Sequence, residues 1–251
     1  MPFRIDNLSR QLVLGGGASS ENKSLVIQVP LHYKTINEAV KVAGPRPASI
    51  IEVHTGIYEE NVTLEDNVSI VGIGMVMLKG KMILHGNGFI RDLYLDHLQI
   101  SDATRSVEGC QIDQTLQIEK SHVTFRNIEI QCSLIARFAT IVLRQSCIFS
   151  EDYSLELTQS TLYADDCDLQ GEIKMEDTSI ATLKESSIVS VHDVDLIVVE
   201  DEKSTIQLFN CYVTAKTRVK SGPGNSIRAN LIALGSATEM VGGENIKLES
   251  I

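Results

Sequence analysis

The side chains in this chain that could carry acid–base or metal chemistry are its acids, six histidines and five cysteines. The stretch "ADDCDL" (164–169) holds the adjacent acids Asp165 and Asp166, and Glu185 stands one repeat further on. Two carboxylates brought close together share a proton or a cation, because both ionise side by side only at a cost. Asp166 with Glu185, and Glu151 with Glu172, are the pairs that the repeat described below puts on neighbouring coils. His32, His54, His85, His97, His122 and His192 fall into no Ser/His/Asp arrangement. His54 and His97 sit beside apolar strand positions and read as satisfied strand histidines. Cys110, Cys132, Cys147, Cys167 and Cys211 form no Cys-x-x-Cys pair and have no histidine at metal spacing. They read as small buried hydrophobes in a chain that folds in a reducing setting. These spacings assign no catalytic residue, no metal ligand and no cofactor, and leave the binding residues undefined.

The elements that must position these side chains come from an internal repeat. "VTFRNIEI" (123–130), "IVLRQSCI" (141–148), "LYADDCDL" (162–169), "IATLKESSI" (180–188), "IQLFNCYV" (206–213) and "IRANLIA" (227–233) share one pattern. Each opens on an aliphatic residue: Val123, Ile141, Leu162, Ile180, Ile206, Ile227. A polar bend follows at Asn127, Gln145, Asp166, Glu185, Asn210 and Asn230. After it comes a small or apolar residue: Ile128, Ser146, Cys167, Ser186, Cys211 or Leu231. Two positions later Ile130, Ile148, Leu169, Ile188, Val213 and Ala233 face inward by period-two alternation, as the opening residues do. Starts 18 to 26 residues apart are too close for independent folds, so each copy buries its apolar side only against its neighbours. The pattern predicts an all-β parallel β-helix spanning 24–236, with an arm at 1–23 and a tail or cap at 237–251. "VSIVGIGMVML" (68–78) and "FIRDLYLDHLQI" (89–100) fit as earlier coils, and "SDATRSVEG" (101–109) reads as part of another coil or an insertion.

A solenoid leaves strand edges open at its ends. One helix is available to cover the first of them. In "YKTINEAVKVAG" (33–44), Thr35 and Glu38 make a capping box, Gly44 stops the helix, and Ile36, Ala39, Val40 and Ala43 share one face, giving a capping helix over 35–43. The C-terminal "NIKLESI" could cover the other end or pair with a neighbouring subunit. A formal charge of −11 without a basic patch argues against nucleic acid. The apolar runs are too short for a membrane span, and "MPFRIDNLSRQ" lacks the layout of a signal peptide.

The strand at 24–30, the helix, and "IIEVHTGIYEENVTLEDNVSIVGIG" together resemble the N-terminal layout of pectinesterases and the wider pectin lyase-like superfamily. The match covers about residues 24–75, on Tyr33, Ile36, Ala39, Val40, Gly56, Tyr58, Glu60, Gly72 and Gly74. The resemblance implies a right-handed parallel β-helix plugged by the helix, with Tyr58 and Glu60 architectural. It also implies the motifs that pectinesterase chemistry would need, and these depart from the pattern. "DQTL" (113–116) carries Asp113 and Gln114 in reversed order, no Asp-Phe-(Ile/Val)-Phe-Gly follows, and there is no Trp. The polygalacturonase signatures are missing too, and "ADDCDL" lacks the Arg partner of a calcium-dependent lyase site. The function expected on these grounds is a non-catalytic structural or attachment module, similar to β-helices of phage and large DNA virus particles. A carbohydrate-active enzyme or carbohydrate-binding module working in the groove is the alternative. The expected partners are copies of the chain itself, a trimer before a dimer, with polysaccharide or virion proteins beside them.

Overall fold

The computed structural model describes residues 25–44, 48–189, 195–199, 204–213, 218–221, 226–234, 239–241 and 246–248. The arm expected at 1–23 lies outside them. The described strands all join one parallel ladder, a right-handed β-helix with one helix, Ile36–Ala43. Each coil visits three faces in turn. The first face stacks 122–126, 140–144, 161–165, 180–184 and 205–209; the second stacks 129–130, 147–149, 168–170 and 187–189; the third stacks 134–137, 155–158 and 173–176. Strand alternation turns one apolar set into a continuous interior, in which Val123, Ile141, Leu162, Ile130, Ile148, Leu169, Leu134 and Leu157 are all buried.

The polar bends between the first and second faces have the conformation their residue types suit. Asn127, Gln145, Asp166, Glu185 and Asn210 all have φ between 49° and 56°. This left-handed region turns the chain sharply within one residue, and Asn and Asp reach it at the lowest cost among residues with a side chain. The amide after each bend cannot reach the backbone ladder, so a side chain of the next coil accepts from it. Ile128 N–H donates to Ser146 Oγ at 3.2 Å and Cys167 N–H to Ser186 Oγ at 3.2 Å. The amides of Ser146 and Ser186 face the sulfurs of Cys167 and Cys211. The corner between the third and first faces repeats the device with Ser121, Ser160, Ser179 and Ser204.

The structure changes two of the expected pairings by one residue. Ala181, not Ile180, pairs with Leu162 and Ile206; Ile180 pairs with Thr161 and Thr205 and is 43% exposed. The copy at 180–188 is one residue longer before its bend, which moves the extra residue outward. In the last copy Val213 pairs with Leu234 rather than Ala233, after a register shift beyond Phe209. "SDATRSVEG" is no insertion, since 103–108 is a first-face strand whose Arg105 pairs with Val123. The strands Glu239–Val241 and Ile246–Leu248 pair with Arg218–Ser221 and Ser226–Leu234, so this part of the C-terminal segment lies on its own chain's ladder.

Candidate functional site

The Gly-x-Tyr-x-Glu stretch is a clamp for the capping helix. The Glu60 carboxylate accepts from Ile36 N–H at 2.8 Å and Asn37 N–H at 3.0 Å, two amides that a helix N-terminus leaves without partners, and from Asn37 Nδ2 at 2.7 Å. The Tyr58 hydroxyl donates to His54 O at 2.8 Å. A Cβ at residue 56 would stand 3.3 Å from the Tyr58 ring, so glycine leaves room for the ring to lie across the strand.

Several of the acids are engaged by neighbouring side chains of their own or the adjacent rung. Asp166 and Glu185 do occupy adjacent bends, but Lys184 Nζ stands 3.1 Å from Glu185 and 3.9 Å from Asp165, and all three side chains are exposed. Asp113 accepts from Gln111 Nε2 at 2.8 Å, Glu129 from Gln131, Asp168 from Ser187, and Glu52 from Gln28 at 2.8 Å. Across from Glu172 the register places Tyr153 rather than Glu151. Among the described residues no group of three His, Cys, Asp or Glu side chains is set to hold a metal ion.

Shallow concavities run along the described coils. One of about 460 Å³ follows the corner between the third and first faces and includes Asp102, Thr104, Ser121, His122 and Phe138. Its Ser, His and Asp do not form a relay. Ser121 Oγ is turned inward, donating to Glu119 O at 2.6 Å and accepting from Ala103 N–H at 3.1 Å, while His122 points out of the coil. A second groove, about 370 Å³, runs along the corner between the first and second faces, past Tyr94, Gln111, Glu129 and Cys147. Another, about 110 Å³, lies on the third face among Gln99, Gln117, Glu119 and Arg137.

The histidines divide. His97 Nδ1 is 3.0 Å from Thr115 Oγ1, and His85 Nδ1 is 3.0 Å from Ser101 O. His54 corrects the expectation, because its buried Nε2 has no partner. His192 lies outside the described residues. All five cysteines are free, and burial pushes the thiols of Cys110 and Cys167 up to about 12 and about 11, far from the thiolate form that nucleophilic or metal chemistry needs.

Two features went unread in the sequence. Arg105 is 3% exposed inside the coil, and burial brings its guanidinium down to about 10. It donates to Val68 O at 2.7 Å and Glu65 O at 2.8 Å, and also to the carbonyls of Leu64 and His85. Gly88 makes this possible, since a Cβ there would come 2.3 Å from Arg105 Nη1. The alternation Ala103, Arg105, Val107 was the available signal. The second is the column just before each bend, Arg91, Glu108, Arg126, Arg144, Asp165, Lys184 and Phe209, which the register stacks along the edge of the first face. The repeat alignment already held Arg126, Arg144, Asp165, Lys184 and Phe209 of that column.

No family model matches the chain, and no curated protein matches it. Among solved structures, the A-module of the Azotobacter vinelandii mannuronan C-5 epimerase AlgE4 aligns at 11% identity over 86% of this chain and 93% of that one, with a TM-score of 0.29. The A-module of AlgE6 from the same organism aligns at 9% identity over 86% of this chain and 94% of that one, also at a TM-score of 0.29.

Proposed function

We propose that the chain is a non-catalytic β-helical module, a rigid spacer or attachment element that presents its outward ladders to partners. The observation carrying this reading is that several of its acids are engaged separately along the coils, with no converging pair among the described residues. Glu60 holds a helix, Glu185 shares Lys184 with Asp165, and Asp113, Glu129 and Asp168 each accept from a neighbouring side chain. Acid–base catalysis on a sugar needs two carboxyl groups converging on one substrate position, whereas these are distributed along the ladder. The reading includes a homotrimer. A virion or phage setting rests on the sequence resemblance alone. Purified full-length protein should release no product from methyl-esterified or free polygalacturonate, with or without calcium. Turnover abolished by Asp113→Asn or Asp166→Asn would overturn the proposal.

One observation favours carbohydrate binding as a second reading. Phe138 has φ 54°, a conformation that bulky residues avoid, and is 54% exposed on the rim of the 460 Å³ groove beside Thr104, His122 and Thr140. An aromatic ring beside hydroxyls suits a sugar face. Loss of glycan-array signal in Phe138→Ala would support this reading, and an array without signal for the wild type would remove it.

A further inference from the structure

Arg126 and Arg144 pair directly across adjacent strands at the edge of the first face, and both are exposed. Like charges on neighbouring rungs, about 4.8 Å apart, repel each other. The flanking rungs carry Glu108 and Asp165, yet among the described residues neither guanidinium has a carboxylate within ion-pair distance; Asp165 is held by Lys184 instead. In a chain with a formal charge of −11, two stacked cations without counter-ions stand out.

Around the bend, the first outward column of the second face runs Tyr94, Gln111, Glu129, Cys147, Asp168, Ser187 and Tyr212. Its two acids flank Cys147, and both carboxylates push that thiol upward after burial does. The 370 Å³ groove lies at this level, lined by Tyr94, Gln111, Glu129 and Cys147. A column carrying Glu129 and Asp168 and a basic edge therefore sit on either side of one corner, at matching heights. They belong to the same coils and point in different directions, so one chain cannot join them.

A second copy can. Rotation about an axis parallel to the solenoid preserves height, so every rung of one subunit faces the same rung of its neighbour. If the corner carrying Asn127, Gln145 and Asp166 points toward a threefold axis, the first face of each copy meets the second face of the next. Arg126 then faces Glu129 of the neighbouring copy, Arg144 faces Cys147 on the rung between Glu129 and Asp168, and Phe209 meets Tyr212. The last two are both exposed aromatics, at 42% and 47%. Asp165 opposite Asp168 is the one like-charged rung, and Arg144 and Lys184 on the adjoining rungs offset it.

We infer that this corner is the homotypic interface of the protein, a closed threefold assembly whose contacts are the Arg126/Arg144 edge and the Glu129/Asp168 column. The inference rests on the structural-module reading and names the partner as a second and third copy of the same chain. Light scattering on the full-length protein should give about three times 27.6 kDa, independent of concentration. Arg126→Glu with Arg144→Glu should reduce that mass threefold while leaving the circular-dichroism melt of the coil in place. Adding Glu129→Lys and Asp168→Lys to the same chain should restore the trimer, because the charges are exchanged across the interface. A monomer at every concentration would overturn the inference, as would an oligomer whose mass the double reversal leaves unchanged. A monomer would also remove the homotrimer from the proposed function, whereas the absence of catalysis is decided separately by polysaccharide turnover. If the four-fold variant melts early, salt dependence of the wild-type mass replaces it: a mass insensitive to salt contradicts a charge-paired interface, and dissociation on raising salt supports it.

Discussion

The corner between the third and first faces is built with two chemistries, one in the early coils and another in the middle of the solenoid. In the middle coils hydroxyls of Ser121, Ser160 and Ser179 each take an amide from the coil before and return a proton to a carbonyl of their own coil, as Ser160 does with Ala139 N–H at 3.1 Å and Thr158 O at 2.8 Å. In the early coils a single guanidinium covers the carbonyls of Leu64, Glu65, Val68 and His85. The difference follows from geometry. At 120–121, 159–160 and 177–179 a serine closes the turn, and its short hydroxyl spans the gap to the next rung. Residues 65–67 and 85–87 include no serine, and the carbonyls left there are reached by one long, multiply donating side chain. Polar residues inside this solenoid thus mark where the backbone leaves its ladder, and need no catalytic explanation.

Substitutions at the two versions of this corner should separate them. Arg105→Met fills similar volume but strips four carbonyls of their donor at once, and should cost about 3–5 kcal/mol by urea denaturation, as for the breaking of other buried charged networks. Arg105→Lys should recover little, because an ammonium lacks the fork that reaches carbonyls on different strands. Ser160→Ala removes one acceptor and one donor, and should cost about 1–2 kcal/mol. Cys167→Ser should change stability by less than about 1 kcal/mol, since serine already does the same work at 146 and 186.

The smallest effect concerns Asp66, at the outer side of the early corner. Asn87 N–H donates to its Oδ1 at 2.8 Å, and this bond, ahead of the other contributions, holds the carboxyl below the usual carboxylate range. A carboxyl depressed in the folded state contributes stability that is present above its unfolded pKa of about 4 and lost as pH falls through the folded value. The acid limb of a stability–pH curve should therefore flatten slightly in Asp66→Asn, with the variant's small deficit present at neutral pH and gone at low pH.

Period-two alternation, the polar bends and the capping box were readable in the sequence because each follows from local steric or hydrogen-bonding preference. The bends at Asn127 and Asp166 carry the residue types that tolerate positive φ, and Thr35 with Glu38 forms the box as expected. Ile180 misled because hydrophobicity does not distinguish inward from outward when a strand gains one residue before its bend; only the ladder with Leu162 and Ile206 fixes which residue turns in. Arg105 was hidden for the opposite reason: a charged residue at an inward position reads as a loop until its carbonyl partners, some forty residues away in sequence, are in place. The basic edge was present in the aligned repeats, but its lack of counter-ions appears only once the coils are stacked.

Every assignment of a side chain to a face, and with it the proposed interface, depends on the register of the coils. The most direct test compares two neighbouring substitutions, Ala181→Asp and Ile180→Asp, in thermal and urea melts. Ala181 is fully buried and Ile180 is 43% exposed. Ala181→Asp should lose several kcal/mol by placing an unpaired charge in the core, of order 3 kcal/mol or more, while Ile180→Asp should stay within about 0.5 kcal/mol of the wild type. Comparable losses from both, or a larger loss from Ile180→Asp, would contradict the register and the faces built on it.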